Sequence, residues 1–434
     1  MTQTHLKVDW LKPLRNSGKI FLGRGAQALM GLVYVALASR ALGVEDFGLL
    51  VLIHALIFGV GMVFQMQSWQ ALIKFGAEAL KDNDKARFQA LIKFTTTLDL
   101  AMTVFIFTCL SVFFEHIMAF LNIPLSLWEA TQLYSFGLFA VMMMPTPQGI
   151  LRLFDRFDIL GFQAVIDGSV RLLITSFLFF SGVDSVTPYL WAWFAGMVGS
   201  RIYLYIMAIL ELKRQHYLSG LFTKNKQKQK GVWSFVVSHS LSQSLVISQE
   251  YIGLILSGVL LGPAASGLFK IAHQFADVLI KPAREFLMPA IYPDFAKFQA
   301  SNDISSKFFV FFKILTFIAI GGAILLALLA LLGYPLIKYA FGTEFTPAYV
   351  PMLWLAGAGF LHVLVSPLEP LLSTQGRVLR IFISYLGGTA LFIVGLYIFV
   401  PLFDLKGTGI AMILGGIFTA LIMALGLMKT DQKF

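Results

Sequence analysis

Runs of about 20 apolar residues, recurring from one end of the chain to the other, constrain this sequence more than any other feature. A helix of that length crosses roughly 30 Å of hydrocarbon, where only helices and closed barrels satisfy every backbone polar group. Spans are expected over 17–39, 47–69, 92–114, 131–151, 159–181 and 189–211. Six more follow over 233–259, 264–285, 309–332, 348–371, 381–401 and 407–428. Composition agrees, because 58% of the 434 residues are hydrophobic and 13% charged, more apolar surface than a water-soluble chain can bury. The expected fold is all-α and integral to the membrane, with about 12 transmembrane helices.

The net charge of +10 does not point to nucleic acid, since the basic residues alternate with the spans instead of forming one patch. One set of loops holds Lys74, Lys81, Lys85 and Arg87, then Arg152 and Arg156, then Lys213, Arg214 and Lys224, and later Arg377 and Arg380. The opposite set holds Glu45, Asp46, Glu115, Asp184, Glu344 and Asp404 with few cations. The positive-inside rule therefore places the first set and both termini of this multi-pass chain in the cytoplasm. Lys7, Lys12, Arg15 and Lys19 precede the first apolar run as in a secretory signal. That run is about 22 residues long and contains Arg24, so it is expected to remain as a helix. Cys109 is the single cysteine, which excludes an internal disulfide and a cysteine-based metal site.

A polar, basic stretch, 213–231, ends in TKNKQKQKG and reads as a cytoplasmic linker between an N-terminal lobe, 1–212, and a C-terminal lobe, 232–434. The lobes share a motif. Leu42-Gly43, Gly48-Leu49 and His54 recur 219 positions later as Leu261-Gly262, Gly267-Leu268 and His273, with Val44 corresponding to Pro263. Such a long period indicates domain duplication, not a solenoid. Six spans per lobe send both lobes into the membrane in the same direction. The expected architecture is two parallel-repeat six-helix lobes around a central cavity.

Ionisable groups at mid-bilayer cost about 2.5–3.5 kcal/mol each, so their placement is informative. In the eighth span Lys270, Gln274, Asp277, Lys281 and Arg284 follow at spacings of 4, 3, 4 and 3, which puts them on one helical face. That face must line water or meet another polar helix, although Lys281 and Arg284 can also snorkel to the inner interface. The seventh span carries Gln243, Gln249 and Glu250. Glu250 and Lys270 lie at similar depth, so a structural pair between them is the alternative to a ligand role. Arg24 sits between Gly23 and Gly25, small neighbours that leave room for a large headgroup. Asp167 and Arg171, four apart, are expected to pair, whereas Arg201 has no partner on its own helix. The candidate substrate-binding residues are Arg24, Lys270, Asp277, Glu250, Gln274 and Arg201. No HExxH, Walker A or GxSxG pattern occurs, so no catalytic residue, metal-ligand set or cofactor is expected.

The N-terminal run LRNSGKIFLGRGAQALMGLVYVALASRALGVEDFGLLVL resembles the start of the bacterial polysaccharide-biosynthesis transporters, which include the O-antigen translocases. These belong to the multidrug/oligosaccharidyl-lipid/polysaccharide exporter superfamily. LLGPAASGLFKIAHQF resembles that superfamily's turn between helices 7 and 8, and SWQALIKFGAE fits the O-antigen branch. The resemblance implies a flippase that carries polyprenyl-diphosphate-linked oligosaccharide from the cytoplasmic to the periplasmic leaflet by alternating access. It also implies cavity cations on helices 1, 2 and 8; Arg24 and Lys270 match the first and last, while helix 2 offers only His54. Membrane lipids, a coupling ion and the polysaccharide polymerase machinery are the partners so implied. Two other readings stand beside it. A drug/cation antiporter of the same superfamily would use acidic residues such as Glu250 and Asp277. A polytopic glycosyltransferase or polymerase would need a sizeable outer domain, and the outer loops here are short.

Overall fold

A computed structural model describes residues 11–221, 231–282, 304–374 and 377–428. The chain begins with one long helical run, α1 (Leu11–His54), that bends at Gly43, where the backbone takes φ 71°. A side chain would be strained in that left-handed conformation. The expected first and second spans are thus a single run with a corner in it. Its counterpart in the motif, Gly262, has φ 92° and separates α11 (Val232–Leu261) from α12 (Pro263–Pro282). Both copies of the duplicated motif therefore turn the chain by the same device.

The second span continues through a π-helical turn, Ala55–Gly59, and α2 (Val60–Phe64), breaks at 65–67, and resumes as α3 (Ser68–Lys81). Next comes α4 (Lys85–Val112), then a short α5 (Phe114–Phe120). The expected span 131–151 is interrupted twice, giving α6 (Trp128–Tyr134), α7 (Gly137–Met142) and α8 (Pro145–Leu153). Pro145 occupies the first turn of α8, where its missing N–H is tolerated and its ring stops the preceding helix. Long helices α9 (Phe157–Phe180) and α10 (Val186–Arg214) complete the first half. Beyond α12 the described helices are Ile304–Phe341, Tyr349–Val365, Leu368–Thr374, Val378–Phe403 and Lys406–Met428.

Among the described residues, eight helical stretches are long and apolar enough to cross a membrane, and nine if the bent pair Val232–Leu245 and Ile247–Leu261 is one span. The count falls below the expected twelve because α12, with its polar face, is not among these stretches, and for two further reasons. The first stretch, Gly18–Lys81, fuses two spans across Gly43, and the broken 131–151 segment contains no single long helix.

The helices form two compact units. One comprises residues up to Ala41, Ile57–Met118 and Pro124–Ser244; the other comprises Leu42–Leu56, Ala119–Ile123 and residues from Leu245 on. Most of the polar linker, 222–230, lies outside the described residues. In the second unit the two motif copies pack on each other. A Cβ on Gly48 would overlap the Pro263 carbonyl, and one on Gly267 would lie 3.1 Å from the Val44 carbonyl oxygen. Val44 and Pro263 are themselves counterparts, so the contact is reciprocal, as in a two-fold interface. Phe47 closes the same region edge-on against Phe345 at 5.7 Å. This buries Phe47, Leu50, Leu52 and Ile53 completely, at about 1.5–3 kcal/mol for each large side chain.

Candidate functional site

In the first unit, glycines bring α1 against α9. A Cβ on Gly23 would run into the backbone of Gly161, and one on Gly161 would lie 2.5 Å from the Lys19 carbonyl oxygen. Gly23 is thus consumed by helix packing, contrary to the expectation that it leaves room for a headgroup. Gly25 behaves as expected, since nothing lies within 4 Å of its Cβ position.

That packing sets Gln27 on Asp167, with Gln27 Nε2 donating to Asp167 Oδ2 at 2.6 Å. Arg171 Nε donates to Asp167 Oδ1 at 3.2 Å, the expected pair, and Arg201 Nη1 lies 3.5 Å from the same oxygen. Arg201 Nη1 also donates to Ser200 Oγ at 2.8 Å. All three charged groups are buried. The partner Arg201 lacks on its own helix is supplied by α9, where it shares the Asp167 carboxylate with Arg171, and its Nε is buried without a hydrogen-bond partner.

Arg24 lies on the exposed face of α1. A second arginine stands near it. The Arg152 guanidinium stacks on the Trp69 ring, 4.1 Å from its centroid, and its Nε is buried with no hydrogen-bond partner. Burial, and then the neighbouring charge of Arg24, push Arg152 down to about 10. Trp69 is itself fixed by donating from Nε1 to Gln67 Oε1 at 2.7 Å. Loop counting makes Arg152 a topology charge. The signal for a second role, its approach to Arg24 and Trp69, is purely spatial.

In the second unit, α12 carries the expected polar face. Lys270 and Gln274 are half-buried and Asp277 is buried. Of the rest of that stripe, Arg284 lies outside the described residues, and Lys281 lies where only the backbone is described. The Glu250–Lys270 pair that depth alone suggests is not among the ion pairs of the described residues. Glu250 instead faces His273, whose Nδ1 is 3.9 Å from Glu250 Oε1 and 3.6 Å from Asp277 Oδ1. The ligand atoms of Glu250, His273 and Asp277 all lie within 4.8 Å of one another. His273 Nδ1 and Gln274 Oε1 are buried there without a hydrogen-bond partner. Two carboxylates and an imidazole can hold a proton or a cation. Spacing did not reveal this set, because its members come from two helices and His273 lies beside the stripe, not in it.

The profile of a family described as polysaccharide biosynthesis protein matches residues 14–299. The inner membrane protein YghQ of Escherichia coli (strain K12) is 29% identical over 344 residues, covering 77% of this chain and 94% of that protein. Among solved structures, the inward-facing conformation of a multidrug resistance MATE family transporter of the MOP superfamily superposes with a TM-score of 0.77 at 14% identity. The match covers 93% of this chain and 94% of that one. A MOP superfamily transporter from Pyrococcus furiosus Vc1 (DSM3638) gives 0.64 at 15% identity, covering 96% and 95%. At such identities the likeness establishes the fold alone.

Proposed function

The chain belongs to the polysaccharide biosynthesis protein family, and from that premise we propose that it is a flippase for lipid-linked oligosaccharide. Its cargo is a polyprenyl-diphosphate carrying an O-antigen or other surface-polysaccharide repeat unit, moved from the cytoplasmic to the periplasmic leaflet of the inner membrane by alternating access. The observation that carries this reading is the Arg152 guanidinium, held on the Trp69 ring with its buried Nε unsatisfied and the charge of Arg24 acting on it. A diphosphate neutralises two guanidiniums at once, through charge-assisted and bidentate hydrogen bonds that lysine cannot reproduce. Arg24 on its open helix face and the unsatisfied Nε of Arg152 are the donors. Lys270 and Gln274, on the polar face of α12, are assigned to the sugars, and the polymerase machinery receives the flipped product.

Glu250, His273 and Asp277 are assigned to a coupling proton or cation. The same cluster favours a second reading, drug/cation antiport, in which the acids bind the cargo itself. Proteoliposomes containing the purified protein separate the two. Outward movement of a polyprenyl-diphosphate oligosaccharide, lost in Arg24→Ala, supports the flippase. Export of a lipophilic cation with no lipid flipping replaces it with the antiporter.

A further inference from the structure

Asp99 lies in the middle of α4 and is 1% exposed, yet among the described residues no cation pairs with it. Its Oδ2 draws three donors. Ser68 Oγ donates at 2.9 Å, Thr146 Oγ1 at 2.6 Å and the Thr146 backbone N–H at 3.2 Å. Oδ1 is buried and has no hydrogen-bond partner. Ser68 is the first residue of α3 and Thr146 the second of α8. Asp99 therefore sits where the two interrupted helices of the unit restart. From the break at 65–67, Gln65 Nε2 donates to the Val141 carbonyl near the end of α7 at 2.5 Å, and Gln67 N–H donates to Ser240 Oγ at 2.9 Å.

The groups facing Asp99 are neutral. From α3 there is Ser68, from α8 Thr146, and from α10 Tyr205, whose phenol donates to the Met143 carbonyl. A buried carboxylate with no counter-cation in a membrane segment must be stabilised by donors and helix N-termini, or take up a proton. This site holds both options close together. As an anion, Asp99 is matched by three donors and two helix N-termini. As a neutral acid it fits the low-dielectric surroundings, with Oδ2–H able to donate to the Thr146 hydroxyl, but its hold on the two helix starts weakens.

We propose that Asp99 is a proton-binding site whose ionisation state fixes the junction between the two broken helices. The assignment is independent of the cargo and separate from the Glu250–His273–Asp277 cluster. Infrared difference spectra of the full-length protein in lipid nanodiscs, taken between about pH 5 and about pH 9, test it directly. A carboxylic-acid C=O band should grow on acidification in the wild type and be missing from Asp99→Asn. Thr146→Val removes a donor to the anion without touching the carboxyl, so it should tighten proton binding by about tenfold. At neutral pH, Asp99→Asn should also speed amide exchange at 65–67 and 143–146 by about tenfold or more. A band that survives the Asp99→Asn substitution, a midpoint unmoved in Thr146→Val, or a signal that follows sodium instead of pH overturns the proton site. Unchanged exchange in Asp99→Asn overturns its hold on the junction.

Discussion

Around Asp167, two arginines and a glutamine converge on one carboxylate. Around Arg152, a second arginine adds to the charge instead of cancelling it, and an aromatic ring lies beneath. Both groups of residues belong to the same unit and both place guanidiniums among apolar helices, yet they answer different demands. The Asp167 node ties its helices, α1, α9 and α10, to one buried carboxylate, which its two arginines share while Arg201 Nε is left without a hydrogen-bond partner. The Arg152 region leaves a donor unsatisfied and like charges close together, an arrangement that an anion from outside would complete. A buried carboxylate shared among three helices serves architecture; Arg152, on which no carboxylate lies among the described residues, is where the proposed anionic cargo would fit.

The largest effect that could break this comparison is on stability. Asp167→Ala leaves Arg171 and Arg201 buried without a carboxylate and should cost about 3–5 kcal/mol, read as a large drop in the unfolding midpoint in mild detergent. A variant as stable as wild type would dissolve the architectural reading. A smaller loss, about 0.5–2 kcal/mol, is expected for Trp69→Leu, which removes the ring beneath Arg152, together with reduced export as the guanidinium loses its orientation. Equal export from Trp69→Leu would mean the stacking does not position Arg152. The smallest stability change belongs to Arg152→Met, which relieves like-charge crowding and should leave the midpoint within about 0.5 kcal/mol of wild type while export falls. A stability loss comparable to that of Asp167→Ala would move Arg152 into the architectural class.

The legible parts of the fold were those written in local pattern. The long helices followed from apolar runs, and the i,i+4 spacing of Asp167 and Arg171 gave their pair. The recurrence of Gly43 at Gly262 was visible as a repeated motif, and the structure adds that both glycines turn the chain at positive φ. What could not be read depends on partners distant in sequence or on small rotations about a helix axis. Asp99 sits inside the apolar run LDLAM, and its donors, Ser68 and Thr146, are 31 and 47 residues away. Glu250 and Lys270 were matched by depth, but the azimuth of each helix turns Glu250 toward His273 instead. The break at 65–67 falls in the polar run QMQS where the expected span was ending, whereas the break before Pro145 was hidden because AVMMM precedes it and hydropathy ran on without a gap. Pro145 and Pro147 were the available signal for the second break.

The central claim is that the Arg24 side of this pair binds the diphosphate of a lipid-linked oligosaccharide. It is tested most directly by surface polysaccharide in a strain lacking the chromosomal copy, complemented with variants at matched membrane abundance. Arg24→Ala should yield very little polymer with normal folding, and Arg24→Lys, which keeps the charge and loses the two-pronged donor, an intermediate amount. Normal polymer from well-expressed Arg24→Ala would contradict the account.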